Sequence, residues 1–240
     1  MDGILNVYKP KGITSYDVIR ILKKEFKIKD KIGHAGTLDP IGEGVLILCI
    51  GNMTKFSNKF FNFDKEYIGE VLLGIKTDTD DIEGKIIEEK KIEDLKEEDI
   101  IKTIKSFEGE IEQIPPVVSA IKYKGKPLYK YFRKGIIIQP PKRKVIIKKI
   151  EVLKINLPYV EFKVLCSKGT YIRALCRDIG ERLRCGGAQS KLIRTKVGPF
   201  TIENSVSIEH LRKDGIEKHI IYPSELIKVL QGGYFYVSRS

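Results

Sequence analysis

Residues 33–50 read "GHAGTLDPIGEGVLILCI", and the order of parts in this stretch decides how the rest of the chain is read. Four glycines, Gly33, Gly36, Gly42 and Gly44, surround one acid–proline pair, Asp39–Pro40. The proline ring fixes its own φ and pushes the residue before it towards an extended backbone. Glycines permit unusual dihedrals and leave room for another backbone to approach. This is not a phosphate loop, because no Gly-Lys-Ser/Thr follows. The loop runs instead into "GVLILCI", which reads as a buried strand. From these residues alone two readings stay open. One is a stiff loop presenting a carboxylate to a bulky ligand; the other is a plain turn whose aspartate caps backbone amides.

Upstream, "TSYDVIRILKKEF" predicts an amphipathic helix with Thr14 as cap and Asp17 at the capping-box spacing. Its apolar face is Val18, Ile19, Leu22 and Phe26. Downstream, "NMTKFSNKFF" predicts a helix capped by Asn52, and "KEYIGEVLLG" alternates like a strand. "KEEDIIKTIKSF" reads as a helix, and "VIIKKIEVLKI" and "YVEFKVLCS" as strands joined at Asn156 and Pro158. "TYIRALCRDIGERLR" predicts a helix with Thr170 as cap and an apolar stripe of Ile172, Leu175, Cys176, Ile179 and Leu183. "KLIRTKVGPF" reads as another strand. Helices and strands mix without βαβ alternation, so an α+β fold is expected.

The chain has 240 residues and a net charge of +12, a balance that speaks about partners rather than fold. The charge is segregated. Residues 78–99 are acid-rich, whereas 113–150 hold no Asp or Glu and interleave lysines and arginines with Tyr123, Tyr129, Tyr131 and Phe132. Phosphate neutralisation combined with base stacking suits a folded RNA. Gly125, Pro127, Gly135, Pro140 and Pro141 break the amphipathic pattern that a membrane-surface helix needs. The longest apolar run, "VLILCI", is far too short to span a bilayer. The N-terminus lacks a basic region followed by a long apolar stretch, so a cytoplasmic location is expected. Cys49, Cys166, Cys176 and Cys185 form no CxxC pair, and reduced, buried thiols are expected. "DTDDIEG" places Ile82 where a calcium loop wants an oxygen and reads as a polar turn between strands.

A second group of interest lies in "CSKGTYIRALCRDIG", where Arg173 and Arg177 fall on one helical stripe. They suit phosphates as a basic surface; alternatively, one arginine holds the Asp39 carboxylate in a bidentate fork.

Six blocks in order, "GILNVYKPKGITSYDVI", "KIGHAGTLDPIGEGVLILCIGNMTKFS", "KEYIGEVLLGIKTDTDDIEG", "IEQIPPVVSAIKYKGKPLYKYFRKG", "CSKGTYIRALCRDIGERL" and "KLIRTKVGPF", resemble the TruB family of tRNA pseudouridine synthases. The resemblance implies the pseudouridine synthase fold, a mixed, mostly antiparallel central sheet with flanking helices and a central cleft, and isomerisation of uridine to pseudouridine at position 55 in the T loop of tRNA. It implies Asp39 as nucleophile, Tyr67 stacked on the target base, and Arg173 paired with Asp39. Lys9 (with Pro10), His34, Tyr171 and Leu192 are the implied substrate-binding residues. The base keeps all its atoms, so no cofactor and no metal is expected. The expected partner is tRNA through its T stem-loop, with no guide RNA and no membrane, and the chain is expected to act as a monomer. Residues 1–230 are expected to form the catalytic domain and 231–240 a tail, without the family's usual C-terminal RNA-binding domain. The alternative is a tRNA-folding chaperone that uses the same cleft without catalysis.

Overall fold

The structure is a computed structural model and describes residues 1–231. Beyond Gln231, the tail set apart at 231–240 lies outside the described residues. In chain order the elements are β1 (Gly3–Lys9), α1 (Ser15–Glu25), β2 (Ile32–His34), β3 (Gly42–Ile50), a 3-10 segment (Gly51–Phe56), α2 (Ser57–Phe61) and β4 (Lys65–Leu73). There follow β5 (Ile75–Thr77), β6 (Ile86–Glu89), α3 (Glu97–Lys105), β7 (Gly109–Gln113), β8 (Lys122–Tyr123), β9 (Lys126–Pro127) and α4 (Leu128–Phe132). The last are β10 (Arg143–Asn156), β11 (Tyr159–Cys166), α5 (Ile172–Arg182), β12 (Gly187–Val197), β13 (Phe200–Thr201), α6 (Ile208–Asp214) and α7 (Pro223–Leu230). The fold is α+β, as expected. The chain divides into two units, Met1–Tyr67 with Ile193 onward, and Ile68–Leu192.

The first unit is organised by β3. β1 lies antiparallel to it, from Gly3 opposite Ile50 to Lys9 opposite Gly44, and β2 also pairs with it antiparallel. Successive side chains of a strand point to opposite faces, and here both faces are covered. Leu46, Leu48 and Ile50 join Leu5, Val7 and the α1 residues Val18, Ile19 and Leu22 in one cluster. Val45, Ile47 and Cys49 join Ile4, Met53, Phe60, Val197 and Phe200 in the other. That two-sided burial is why "GVLILCI" is apolar throughout rather than alternating. The start of α1 follows its signal. The Asp17 amide donates to Thr14 Oγ1 at 3.0 Å and the Thr14 amide donates to Asp17 Oδ2 at 2.8 Å, a reciprocal cap. The cap expected at Asn52 does not form, because Gly51–Phe56 is 3-10 and α2 begins only at Ser57. The Asn52 amide and side chain are instead taken by the Asp2 carboxylate, at 2.8 and 2.9 Å.

In the second unit the strand order is β4-β11-β10-β7. β10 and β11 form an antiparallel hairpin closed by Asn156 opposite Tyr159, at the turn residues read from the sequence. The "DTDDIEG" turn connects β5 to β6. Helix α5 buries Ile172, Leu175, Cys176 and Ile179 of the predicted stripe, whereas Leu183 caps the helix C-terminus and is half-buried. Its cap is Tyr171 rather than Thr170; the Thr170 hydroxyl donates back to the Ser167 carbonyl at 2.9 Å. Gly180 lets the helix meet the start of β12, since a Cβ there would fall 2.1 Å from the Gly186 carbonyl carbon and the Gly187 nitrogen. All four cysteines are buried.

Candidate active site

The loop that carries Asp39 is held at several points within the first unit. Leu38 and Ile41, on either side of Asp39–Pro40, are buried. Ser15, the first residue of α1, clasps Leu38: its hydroxyl donates to the Leu38 carbonyl and accepts from the Leu38 amide, both at 2.9 Å. The Gly12 amide donates to the Pro40 carbonyl at 2.8 Å, and the Gly42 amide to the Asp39 carbonyl at 3.0 Å. Tyr8 on β1 donates to Glu43 at 2.8 Å; burial first, and that carboxylate second, push the phenol up to about 12. The half-buried Asp39 carboxylate therefore rides on a segment whose backbone is fastened before and after it.

Two buried cations belong to the same region. Lys9 is fully buried at the end of β1, and its ammonium donates to the carbonyls of Pro10 at 2.8 Å and Ile13 at 2.7 Å. Burial lowers its pKa to about 8; the Asp39 charge opposes that shift and the Arg194 charge adds to it. Arg194 on β12 is the second cation, 1% exposed. Its Nε donates to the Val45 carbonyl at 2.7 Å, and its two terminal nitrogens donate to Thr37 at 3.3 Å and Gly36 at 3.1 Å. His34 lies on β2, half-buried, with its pKa lowered by burial and then by the Arg194 charge. Lys9, His34 and Asp39 are thus brought together in one unit, with Arg194 among them. Sequence reading missed Arg194. Its signal was the register of "KLIRTKV", in which Arg194 falls in step with the buried Leu192. Tyr67 is buried on β4, on the face it shares with Lys65.

In the second unit, Arg173 is 5% exposed and its guanidinium donates to the carbonyls of Thr79 at 3.1 Å and Val118 at 2.9 Å, with Asp81 Oδ2 at 3.5 Å. Arg177 donates to Asp80 at 2.8 Å and to its neighbour Asp178. Burial raises the carboxyl pKa values of Asp80 and Asp178, and the arginines oppose it. The "DTDDIEG" turn is therefore more than a polar connector: it supplies the acids that hold the α5 arginines. Asp81 itself is fixed by Thr79 Oγ1 at 2.7 Å and the Glu83 amide at 3.0 Å. The Tyr171 backbone is held by both ends of the Gln113 amide, at 2.8 and 3.0 Å, and Arg143 lies 5.8 Å from its ring centroid. Leu192 is buried on β12. Lys122, Tyr123, Lys124, Lys126, Lys130, Arg133 and Lys134 of the acid-free stretch are exposed. Lys124 lies over Tyr123 and Arg133 over Tyr129, at 5.6 and 5.5 Å. Tyr123 is exposed with these cations, whereas Tyr129, Tyr131 and Phe132 are half-buried.

No helix among the described residues is long and apolar enough to cross a membrane.

The chain is 53% identical to tRNA pseudouridine synthase B of Clostridium tetani, over 94% of this chain and 77% of that protein. It is 48% identical to tRNA pseudouridine synthase B of Clostridium kluyveri, over 95% and 81%. Among solved structures it is similar to a chain of a Cbf5-Nop10-Gar1 complex, with a TM-score of 0.70 and 30% identity, covering 96% of this chain and 59% of that one. It is also similar to a chain of an H/ACA RNP bound to a substrate RNA containing 2'-deoxyuridine, with a TM-score of 0.67 and 28% identity, covering 96% and 58%. The model of the TruB family pseudouridylate synthase N-terminal domain matches residues 23–172, and that of the tRNA pseudouridylate synthase B C-terminal domain matches residues 173–231. With the glycine loop fastened around Asp39 and the family models running from residue 23 to residue 231, the chain belongs to the TruB family of pseudouridylate synthases.

Proposed function

We propose that this tRNA pseudouridine synthase isomerises uridine 55 in the T loop of tRNA, with Asp39 as nucleophile and without a guide RNA. The observation that carries the reading is the Asp39 loop, fastened through Ser15, Gly12 and Arg194 so that one carboxylate is presented at a fixed place. A carboxylate is a competent covalent nucleophile at carbon. In the reaction the bond from the sugar to uracil N1 breaks and a bond from the sugar to uracil C5 forms. C5 gives up its proton and N1 gains one, so atoms and electrons balance without a cofactor. The target base must leave its stack to be reached. Tyr67 then offers an aromatic face in place of the lost stacking, worth about 1–3 kcal/mol per base. Arg173 is assigned to Asp39 as a fork that fixes the orientation of the carboxylate. Lys9, His34, Tyr171 and Leu192 are assigned to the substrate site. The exposed cations of 122–134, with the exposed Tyr123 and the half-buried Tyr129 and Tyr131, are assigned to the RNA backbone and unstacked bases.

Guide independence is supported by the relatives. Identity to the tRNA pseudouridine synthases B reaches 53%, against 30% to the chain of the Cbf5-Nop10-Gar1 complex. A cytoplasmic, monomeric enzyme is part of the same reading. The test is incubation of the protein alone with unmodified tRNA transcript, followed by chemical mapping of pseudouridine. Conversion confined to position 55 is expected; no conversion, conversion elsewhere, or a requirement for added guide RNA would overturn the reading.

A further inference from the structure

We propose that Arg194 is a positioning residue for the reaction, its guanidinium fastening both limbs of the loop that carries Asp39. The proposal rests on the reading of Asp39 as nucleophile.

Arg194 is among the largest fully buried side chains of the protein. Burying a guanidinium is costly even after relaxation, so an arginine whose only task was to fill space would be a poor choice beside leucine or methionine. Its hydrogen bonds go to main-chain carbonyls rather than to a carboxylate. Gly36 and Thr37 lie just before Asp39, and Val45 lies on the strand that leaves the loop. One planar group therefore ties the entry of the loop to its exit, with Asp39 between them. The backbone of the same residue closes the arrangement. Gly44 has φ +105°, and a Cβ there would fall 2.3 Å from the Arg194 carbonyl oxygen. The charge also reaches the neighbouring groups, since it acts on both Lys9 and His34. A lysine would keep that charge but could not span three acceptors with a rigid fork.

Displacing a reacting group by about 1 Å costs on the order of 100-fold in rate. The test compares Arg194→Lys, Arg194→Gln and Asp39→Asn with the parent protein, using single-turnover pseudouridine formation, tRNA binding, circular dichroism and NMR titration of the His34 imidazole. For Arg194→Lys we expect a rate lower by about 10- to 100-fold, with tRNA affinity within about threefold and an unchanged spectrum. His34 should titrate as in the parent in Arg194→Lys and at higher pH in Arg194→Gln, a shift that a merely space-filling residue would not cause. An Arg194→Lys protein that turns over at the parental rate, or one whose loss of rate equals its loss of folded protein or of affinity, overturns the positioning role. If Asp39→Asn is inactive while Arg194→Lys is fully active, only the Arg194 proposal falls. If Asp39→Asn is active, the nucleophile reading falls and the proposal with it.

Discussion

At the scale of the residue, Lys9 is a cation taken out of water. Its ammonium is fully buried and held by two carbonyls, and burial brings its pKa down from 10.5 to about 8. Below pH 8 the ammonium is protonated in both folded and unfolded chains, and the fold bears the full cost of burying it. Between about 8 and 10.5 the unfolded chain holds a proton that the folded chain has released, so stability rises with pH across that window, by up to about 3 kcal/mol. Urea unfolding of the parent and of Lys9→Met, compared at several pH values, checks this. The difference should move in favour of the parent from pH 8 to 10.5; a difference that stays flat would contradict it. Lys9 and Asp39 were singled out in the sequence because short motifs around them resemble the family. Arg194 was not, because nothing near it in sequence announces acceptors at Gly36, Thr37 and Val45.

At the scale of the element, the loop and β3 depend on a close approach that only glycine allows. Gly44 and Gly125 both have positive φ, +105° and +77°, but a Cβ meets the Arg194 backbone at the first and nothing within 4 Å at the second. Alanine at either position incurs the cost of a left-handed backbone, about 1–2 kcal/mol. Gly44→Ala adds a backbone clash, and its thermal unfolding temperature should fall well below that of Gly125→Ala. Equal losses would show that the approach is not tight. Elements set by neighbouring residues were readable in advance: the Thr14–Asp17 capping box, the alternation of β4, and the hairpin at Asn156 and Pro158. The caps at Asn52 and Thr170 were misplaced for a shared physical reason. Each polar side chain found a competing partner, Asp2 in one case and the Ser167 carbonyl in the other, and local spacing does not rank such competitors.

At the scale of the whole molecule, the α+β class followed from the irregular mixing of helices and strands. The division into two units did not, since it falls inside two continuous strands, β4 and β12, where no linker composition marks it. The charge pattern was legible: a net charge of +12 and an acid-free stretch that leaves its lysines and Arg133 exposed. Such a surface would suit an enzyme and a folding chaperone alike, so it does not separate the two. Chemistry at Asp39 does. The measurement is pseudouridine formation in unmodified tRNA by the Asp39→Asn protein, with tRNA binding measured on the same preparation. The account predicts no product with affinity unchanged to within a few-fold; turnover equal to that of the parent protein would contradict it.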